Sequence, residues 1–394
     1  MSQELISHSP DLKRLRDEGY DISVRGNHLV VDHVPYVNLR REIRYGALIS
    51  ELTLADDITT ARPGNHVALF AGEFPCDKNG TEITAIAHGS VSAQIDKNLV
   101  ANYSFSNKPP QGYGNYYEKM TRYIEIISHP ARAIDPSVSP ITFPVLECKE
   151  EESVFNYRDT ASSRAGIHAI SRKLELGKIA IIGLGGTGSY VLDLVAKTPV
   201  KEIHLFDGDR LYLHNAFRAP GAPSIEELRK KLTKVAHFHQ LYSRMRRKIV
   251  PHEYFIDATS VAELREMDFV FLCMDAGDAK KLIVERLEEY GKPFVDTGMD
   301  VYEAAGSLAG AVRVTASTER SRSHFRKRVS LAPGSENGDY ARNIQIADLN
   351  ALNAILAVIK WKKLCGFYID LEQERHSTYT INGNLLLNED SDEA

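Results

Sequence analysis

Cysteine is scarce in this chain, with four in 394 residues, and no two of them (Cys76, Cys148, Cys273, Cys365) form a C-x-x-C pair. That spacing argues against a disulfide framework and against a structural zinc site. Long apolar runs are missing too: none approaches the length of a membrane span, and MSQELISHSPDLKRLRDEGY at the N-terminus lacks the apolar segment of a signal peptide. The expectation is a cytoplasmic protein without a membrane partner. Neither sign of charge dominates, since 48 Lys+Arg against 53 Asp+Glu leave a formal net charge of -5. No global attraction to nucleic acid follows, so any anion must be met by a local site. Tryptophan occurs once, yet 18 Tyr and 14 Phe in a 43% hydrophobic composition are enough for a sizeable core. A chain of this length is comfortable as two domains.

Residues 1–147 read as an α+β domain of short strands. HLVVDHVPYV, NHVALFAGEF and TEITAIAHGS carry β-branched and aromatic residues between turn signals, and one helix is expected around NYYEKMTRYIEII, where Tyr116, Met120, Tyr123 and Ile127 recur at helical steps. Its expected role is to recruit a carrier or partner protein. The charged run CKEEESV, residues 148–154, marks the boundary, and one helix is expected through SSRAGIHAISRKLE. A second domain, 155–386, alternates strands and helices from Lys178 on: KIAIIGL, SYVLDLVAKT, EIHLFD, a single helix over SIEELRKKLTKVAHFHQLYSRM, then DFVFLCMD, GKPFVDTGM, AGAVRVTAS and the long helix IADLNALNAILAVIKWKKLCG. Such alternation predicts a Rossmann-like, mostly parallel sheet with helices on both faces. Residues 387–394 read as an acidic, solvated tail.

The most informative stretch is KIAIIGLGGTGSYVLDLVAKTPVKEIHLFDGD, which reads strand, glycine turn, helix, strand, acid. Gly183 permits the tight turn, Gly185 and Gly186 let backbone N–H groups approach a phosphate at the positive end of the helix, and Gly188 lets helix pack on strand. Asp207 at the tip of the next strand is placed to accept ribose hydroxyls. The turn itself does not separate NAD from ATP. A triphosphate needs cations and a metal that a dinucleotide does not. The following loop, GDRLYLHNAFRAPG, supplies Asp209, Asn215 and Arg218, and LTKVAHF supplies Lys234.

Those residues resemble the ThiF/MoeB/E1 family of adenylyltransferases. G-L-G-G-T-G, L-F-D-G-D, H-N-A-F-R-A and T-K-V stand in the family's order, followed by Cys273-Met274-Asp275-Ala276 where the family has Cys-Thr-Asp-Asn. The likeness spans about Lys178 to Gly366. It implies ATP and Mg²⁺ as cofactors, with Asp207 on the ribose, Asn215, Arg218 and Lys234 on the phosphates, and Asp275 on magnesium. It further implies adenylation of a carboxylate, at the C-terminus of a ubiquitin-like or small carrier protein, with release of pyrophosphate. An E2-like transfer protein and a homodimer are the partners to expect. The chain departs from the pattern at Ala219 and Ala276, has no zinc-binding C-x-x-C pairs, and has no cysteine in MDVYEAAGSLAGAVRV after PFVDTG.

Arg164 stands where the family often has an arginine that reaches the triphosphate, although a solvated helix arginine reads the same in sequence. Cys273 and Cys365 read as structural. Cys76, in the turn GEFPCDKNG, is the thiol with easiest access to solvent and the one to consider for a thioester. The basic segment ERSRSHFRKRV reads as a solvated loop. Two other readings stay open: a nicotinamide-dependent oxidoreductase, which would leave Arg218, Lys234 and Asp275 without a task, and a nucleotide-bound scaffold without catalysis, which would suit the two alanines.

Overall fold

A computed structural model describes residues 2–391 other than 57, 147, 149–152, 276 and 332–343. The chain divides into two compact units, Met1–Leu146 and Glu147–Ala394. The first contains α1 (Ser2–His8), α2 (Pro10–Asp17), β1 (Ile22–Arg25), β2 (His28–Val37), β3 (Ile43–Glu51), β4 (Val67–Ala71), β5 (Ala87–Asp96), β6 (Leu99–Ser106) and α3 (Tyr116–Ile134). Its strands form an antiparallel sheet in the order β1-β2-β3-β4-β6-β5. The α3 helix starts where the Asn115 side chain accepts the Glu118 N–H at 2.9 Å, an N-cap that satisfies one of the free amides of the first turn. Its stripe of Tyr116, Met120, Tyr123 and Ile127 is buried in one core with Phe70 and Phe105.

The unit differs from the sequence reading in two ways. The helices α1 and α2 precede the sheet, the second opening with Pro10 in its first turn, where a missing N–H costs nothing. In TEITAIAHGS only the end is strand: Glu82 bridges Cys76, Thr84–Ile86 make a 3₁₀ turn, and pairing begins at Ala87.

The second unit contains α4 (Thr160–Arg164), α5 (His168–Ser171), β7 (Lys178–Ile182), α6 (Gly186–Val195), β8 (Glu202–Phe206), α7 (Leu213–Ala216), α8 (Ile225–Arg229), α9 (Lys234–Tyr242), β9 (Ile249–His252), β10 (Phe269–Leu272), α10 (Asp278–Glu289), β11 (Phe294–Ala304), β12 (Ser307–Ser317), α11 (Phe325–Arg328), α12 (Ala347–Leu364), β13 (His376–Thr380) and β14 (Leu385–Glu389). The sheet order is β14-β13-β12-β11-β10-β7-β8-β9. Pairing is parallel from β11 to β9 and antiparallel from β11 to β14. Alternate residues of the central strands face opposite ways, which is why those strands read as continuous apolar runs. Ile179, Ile181 and Phe271 join Val191 of α6 and Trp361 of α12 in one core, while Ala180, Ile182, Val270 and Leu272 join Ile283 and Leu287 of α10 in another. Helices therefore cover both faces, and the carboxyl ends of β7, β8, β10 and β11 are left to build a ligand site.

Several expectations for this unit are corrected. The helix foreseen over SSRAGIHAISRKLE is broken at Gly166, which has φ of +70°. The helix foreseen over SIEELRKKLTKVAHFHQLYSRM is two helices, because Ser224 caps α8 and Thr233 caps α9, with Lys231 at φ of +49° between them. As far as it is described, the acidic end is not a free tail: Leu387–Glu389 belong to β14, and the Arg328 Nε lies 2.7 Å from Asp390 Oδ2, while 392–394 lie outside the described residues. The basic segment is thereby anchored, with Arg326 on Glu288 and Arg328 on Glu389 and Asp390. Among the described residues no helix is long and apolar enough to cross a membrane.

Candidate active site

The β7–α6 turn sets the geometry. Gly183 adopts φ of +88° and donates its N–H to Phe206 O at 2.8 Å, so the chain leaves the strand while staying tied to β8. A Cβ on Gly183 would lie 2.4 Å from Cys273 O, and one on Gly188 would lie 1.8 Å from Gly183 O. No other residue fits either place without moving backbone. Gly185 meets nothing among the described residues within 4 Å of its Cβ direction, and as the N-cap of α6 it has no side chain with which to cap the helix. Its first amides are left for a ligand, at the end where the helix dipole favours negative charge.

Around this turn lies a cavity of about 360 Å³, within the range of small-molecule sites. Of the residues expected from sequence, Gly183, Gly185, Gly186, Asp207, Asp209, Arg218, Lys234 and Asp275 line it. The buried Asp207 is fixed by the Leu184 N–H on Oδ2 at 2.7 Å and the Asp209 N–H on Oδ1 at 2.8 Å. Lys234, the first residue of α9, donates its backbone N–H to Asp209 O and places its Nζ 2.6 Å from Asp209 Oδ2 and 3.4 Å from Asp207 Oδ2. In this structure the lysine is thus paired with two acids rather than free. Arg218 differs, because its Nε is buried without a hydrogen-bond partner among the described residues. Asp275, just beyond β10, is exposed at the cavity wall.

Other expected residues fall outside this cavity. Asn215 is buried, but its Oδ1 accepts the Tyr212 N–H at 2.8 Å and closes the turn of α7. Arg164 is exposed on α4, and Gly188 faces Gly183 rather than the cavity. Ala276 lies outside the described residues. Cys76 is not an accessible turn thiol, because it is fully buried and burial pushes its thiol pKa upward. Burial likewise pushes the Cys273 thiol up to about 12 and the Cys365 thiol up to about 11, far from a reactive thiolate.

The sequence reading missed the polar face of α12. Thr187 Oγ1 donates to Asn350 Oδ1 at 3.0 Å, and Asn350 Nδ2 reaches Arg218 O at 3.4 Å, so one side chain joins the glycine turn to the arginine loop. Asn350 occupies the space a side chain on Gly186 would need, its Nδ2 being 2.1 Å from that Cβ position. Asn353, one turn on, is 1% exposed and donates to Gly298 O at 3.0 Å. Two asparagines at an i, i+3 spacing inside the otherwise apolar stretch from Leu349 to Ile359 were the available signal.

The ThiF family matches residues 159–380, more than half of the chain and all of this site. The chain belongs to the ThiF family. Residues 10–160 match a domain of unknown function, DUF6791. Ubiquitin-like modifier-activating enzyme 5 of Xenopus laevis is 23% identical over 159 residues, 38% of this chain and 40% of that protein. The enzyme of the same name from Gallus gallus is 24% identical over 160 residues, with the same coverage. The ThiF chain described here thus spans about 40% of the length of these relatives. Among solved structures, E. coli MccB with MccA-N7isoASN gives a TM-score of 0.45 at 17% identity, covering 59% of this chain and 68% of that one. PaaA gives 0.43 at 16% identity, covering 56% and 75%.

Proposed function

We propose that the ThiF unit adenylates the C-terminal carboxylate of a ubiquitin-like or small carrier protein, using ATP and Mg²⁺. A carboxylate oxygen attacks the α-phosphorus, the bond from that phosphorus to the bridging oxygen breaks, and pyrophosphate leaves. The nucleophile is ionised at neutral pH, since an α-carboxyl titrates at about 3.3 to 3.7, so no side chain has to remove a proton. What remains is to hold the reactants in line and to neutralise the charge that builds on the phosphates.

The observation that carries this reading is the set of groups around one cavity: the uncapped start of α6, the unpartnered Nε of Arg218, and Lys234 beside Asp207 and Asp209. In this reading Asp207 takes the ribose hydroxyls, and the α6 amides, Arg218 and Lys234 take the phosphates. Lys234 keeps its ammonium close to Asp209 until a triphosphate offers a stronger anion. Asp275 fits magnesium, which binds through one or two carboxylates and substrate phosphates and keeps several waters. Magnesium would supply positive charge against the phosphate oxygens. Asn215 serves by shaping the loop that carries Arg218. We assign to the N-terminal unit the recruitment of the carrier or of an E2-like transfer protein, with assembly as a homodimer in the cytoplasm.

Titration calorimetry on the full chain tests the nucleotide. MgATP is expected to bind at least about tenfold more tightly than NAD, because a dinucleotide leaves Arg218 and Asp275 without a counterpart, and one charged hydrogen bond is worth about 1.5 to 3 kcal/mol. Tighter binding of NAD would overturn the adenylation reading and favour an oxidoreductase.

A further inference from the structure

The buried Oδ1 of Asn353 has no hydrogen-bond partner among the described residues, although the same amide is oriented by its bond to Gly298 O and the residue lines the cavity. A buried acceptor left unpaired costs about 1 to 3 kcal/mol, and such atoms in native proteins usually have a partner. The question is which ligand group could donate to it.

The position answers. Asp207 closes β8, whereas Asn353 sits against β11, and the strand order β11-β10-β7-β8 puts three inter-strand steps, about 14 Å, between those two ends of the cavity. ATP carries its hydrogen-bond donors on the ribose and the adenine amine, which belong at the Asp207 end. Its phosphates offer acceptors only, and so does an ionised carboxylate. A donor at the β11 end must therefore come from the rest of the acyl substrate. In a peptide the nearest one is the N–H of the last peptide bond, one carbon removed from the carboxyl group. A simple carboxylic acid has none.

We propose that Asn353 Oδ1 accepts the N–H of the last peptide bond of the acyl substrate, making this residue a specificity determinant that favours a peptide C-terminus over a simple carboxylic acid. The inference rests on the adenylation reading. A single neutral acceptor suits an amide N–H better than a free amino acid, whose ammonium would call for a buried charge partner.

Three stable analogues of the adenylate test it by calorimetry on the full chain: acetylglycyl-sulfamoyladenosine, its ester counterpart acetoxyacetyl-sulfamoyladenosine, and glycyl-sulfamoyladenosine. The amide compound is expected to bind about tenfold or more tightly than the ester, which replaces the donor N–H by oxygen. Asn353→Leu should reduce that ratio to about one, with MgATP binding reporting that the site is folded. The wild-type comparison stands even where the variant does not fold. Equal affinity of amide and ester in the wild type, as when a water satisfies Oδ1, would overturn the proposal and leave adenylation standing. Tighter binding of the glycyl compound than of acetylglycyl would overturn it in favour of a free amino acid. Binding of MgATP but of none of the three would remove the adenylation reading and this proposal together.

Discussion

Arg218→Ala is expected to lower the rate of adenylate formation by two to three orders of magnitude while leaving the protein folded. Among the described residues the fold makes little use of this side chain: its Nε has no partner there, and the hydrogen bonds that shape the loop run through the backbone of residue 218, from its N–H to Asn215 O and from Asn350 Nδ2 to its carbonyl. The backbone bonds survive truncation. Arg218 lines the cavity, and in the proposed reaction its guanidinium would meet charge that develops on the phosphates; removing one such preorganised contact typically costs about 3 to 4 kcal/mol in the transition state. Lys234 makes a poorer probe, because removing it also strips the buried Asp207 of a cation 3.4 Å away. Pyrophosphate exchange alongside a melting curve separates the two effects: a near-wild-type rate for Arg218→Ala would remove that residue from the chemistry.

Gly188→Ala should act in the opposite way, on the fold first. A Cβ there would sit 1.8 Å from Gly183 O and 3.1 Å from the Cys273 side chain, and the closer neighbour is backbone, which cannot swing aside. Either α6 moves off β7 or the turn opens. Forcing an added methyl into a packed site costs about 1 to 3 kcal/mol and sometimes more. For a unit of this size that is a fall in melting temperature of roughly 2 to 12 °C, and the upper half is expected because the clash is with backbone. Gly185→Ala is the matched control, since its added methyl meets no atom of the described residues within 4 Å. It should melt like the wild type but bind MgATP more weakly, the methyl pointing into space the phosphates need. Equal melting temperatures for the two variants would show that the turn is more pliant than its geometry implies.

How much of this was legible in the sequence depends on how local each feature is. The β7-turn-α6-β8 unit and Asp207 could be read because the glycine spacing, the apolar strand and the closing acid are neighbours in the chain, and each is demanded by the turn itself. Helix α3 could be read from its stripe for the same reason. Breaks inside helices were harder: Ser224 and Thr233 are both good N-caps, but they lie in a polar stretch whose composition also suits one continuous helix. What sequence could not show was partnership between distant residues. Cys76 sits in a turn-rich segment and still ends fully buried, because Val37 and Glu82 bridge to it. The acidic C-terminus looked solvated until its strand paired with β13 and its acids with Arg328. Asn350 and Asn353 belong to the cavity only because α12 returns across the sheet to lie against the glycine turn, more than 160 residues after it.

The most direct measurement of the central claim is exchange of radiolabelled pyrophosphate into ATP with candidate carriers, each supplied with a free C-terminus and with the same C-terminus amidated. Adenylation through the carboxylate predicts exchange that requires Mg²⁺ and the free carboxyl group and disappears with the amide. A carrier that binds the full chain in the presence of MgATP yet supports no exchange, or exchange that persists with the amidated carrier, would contradict it.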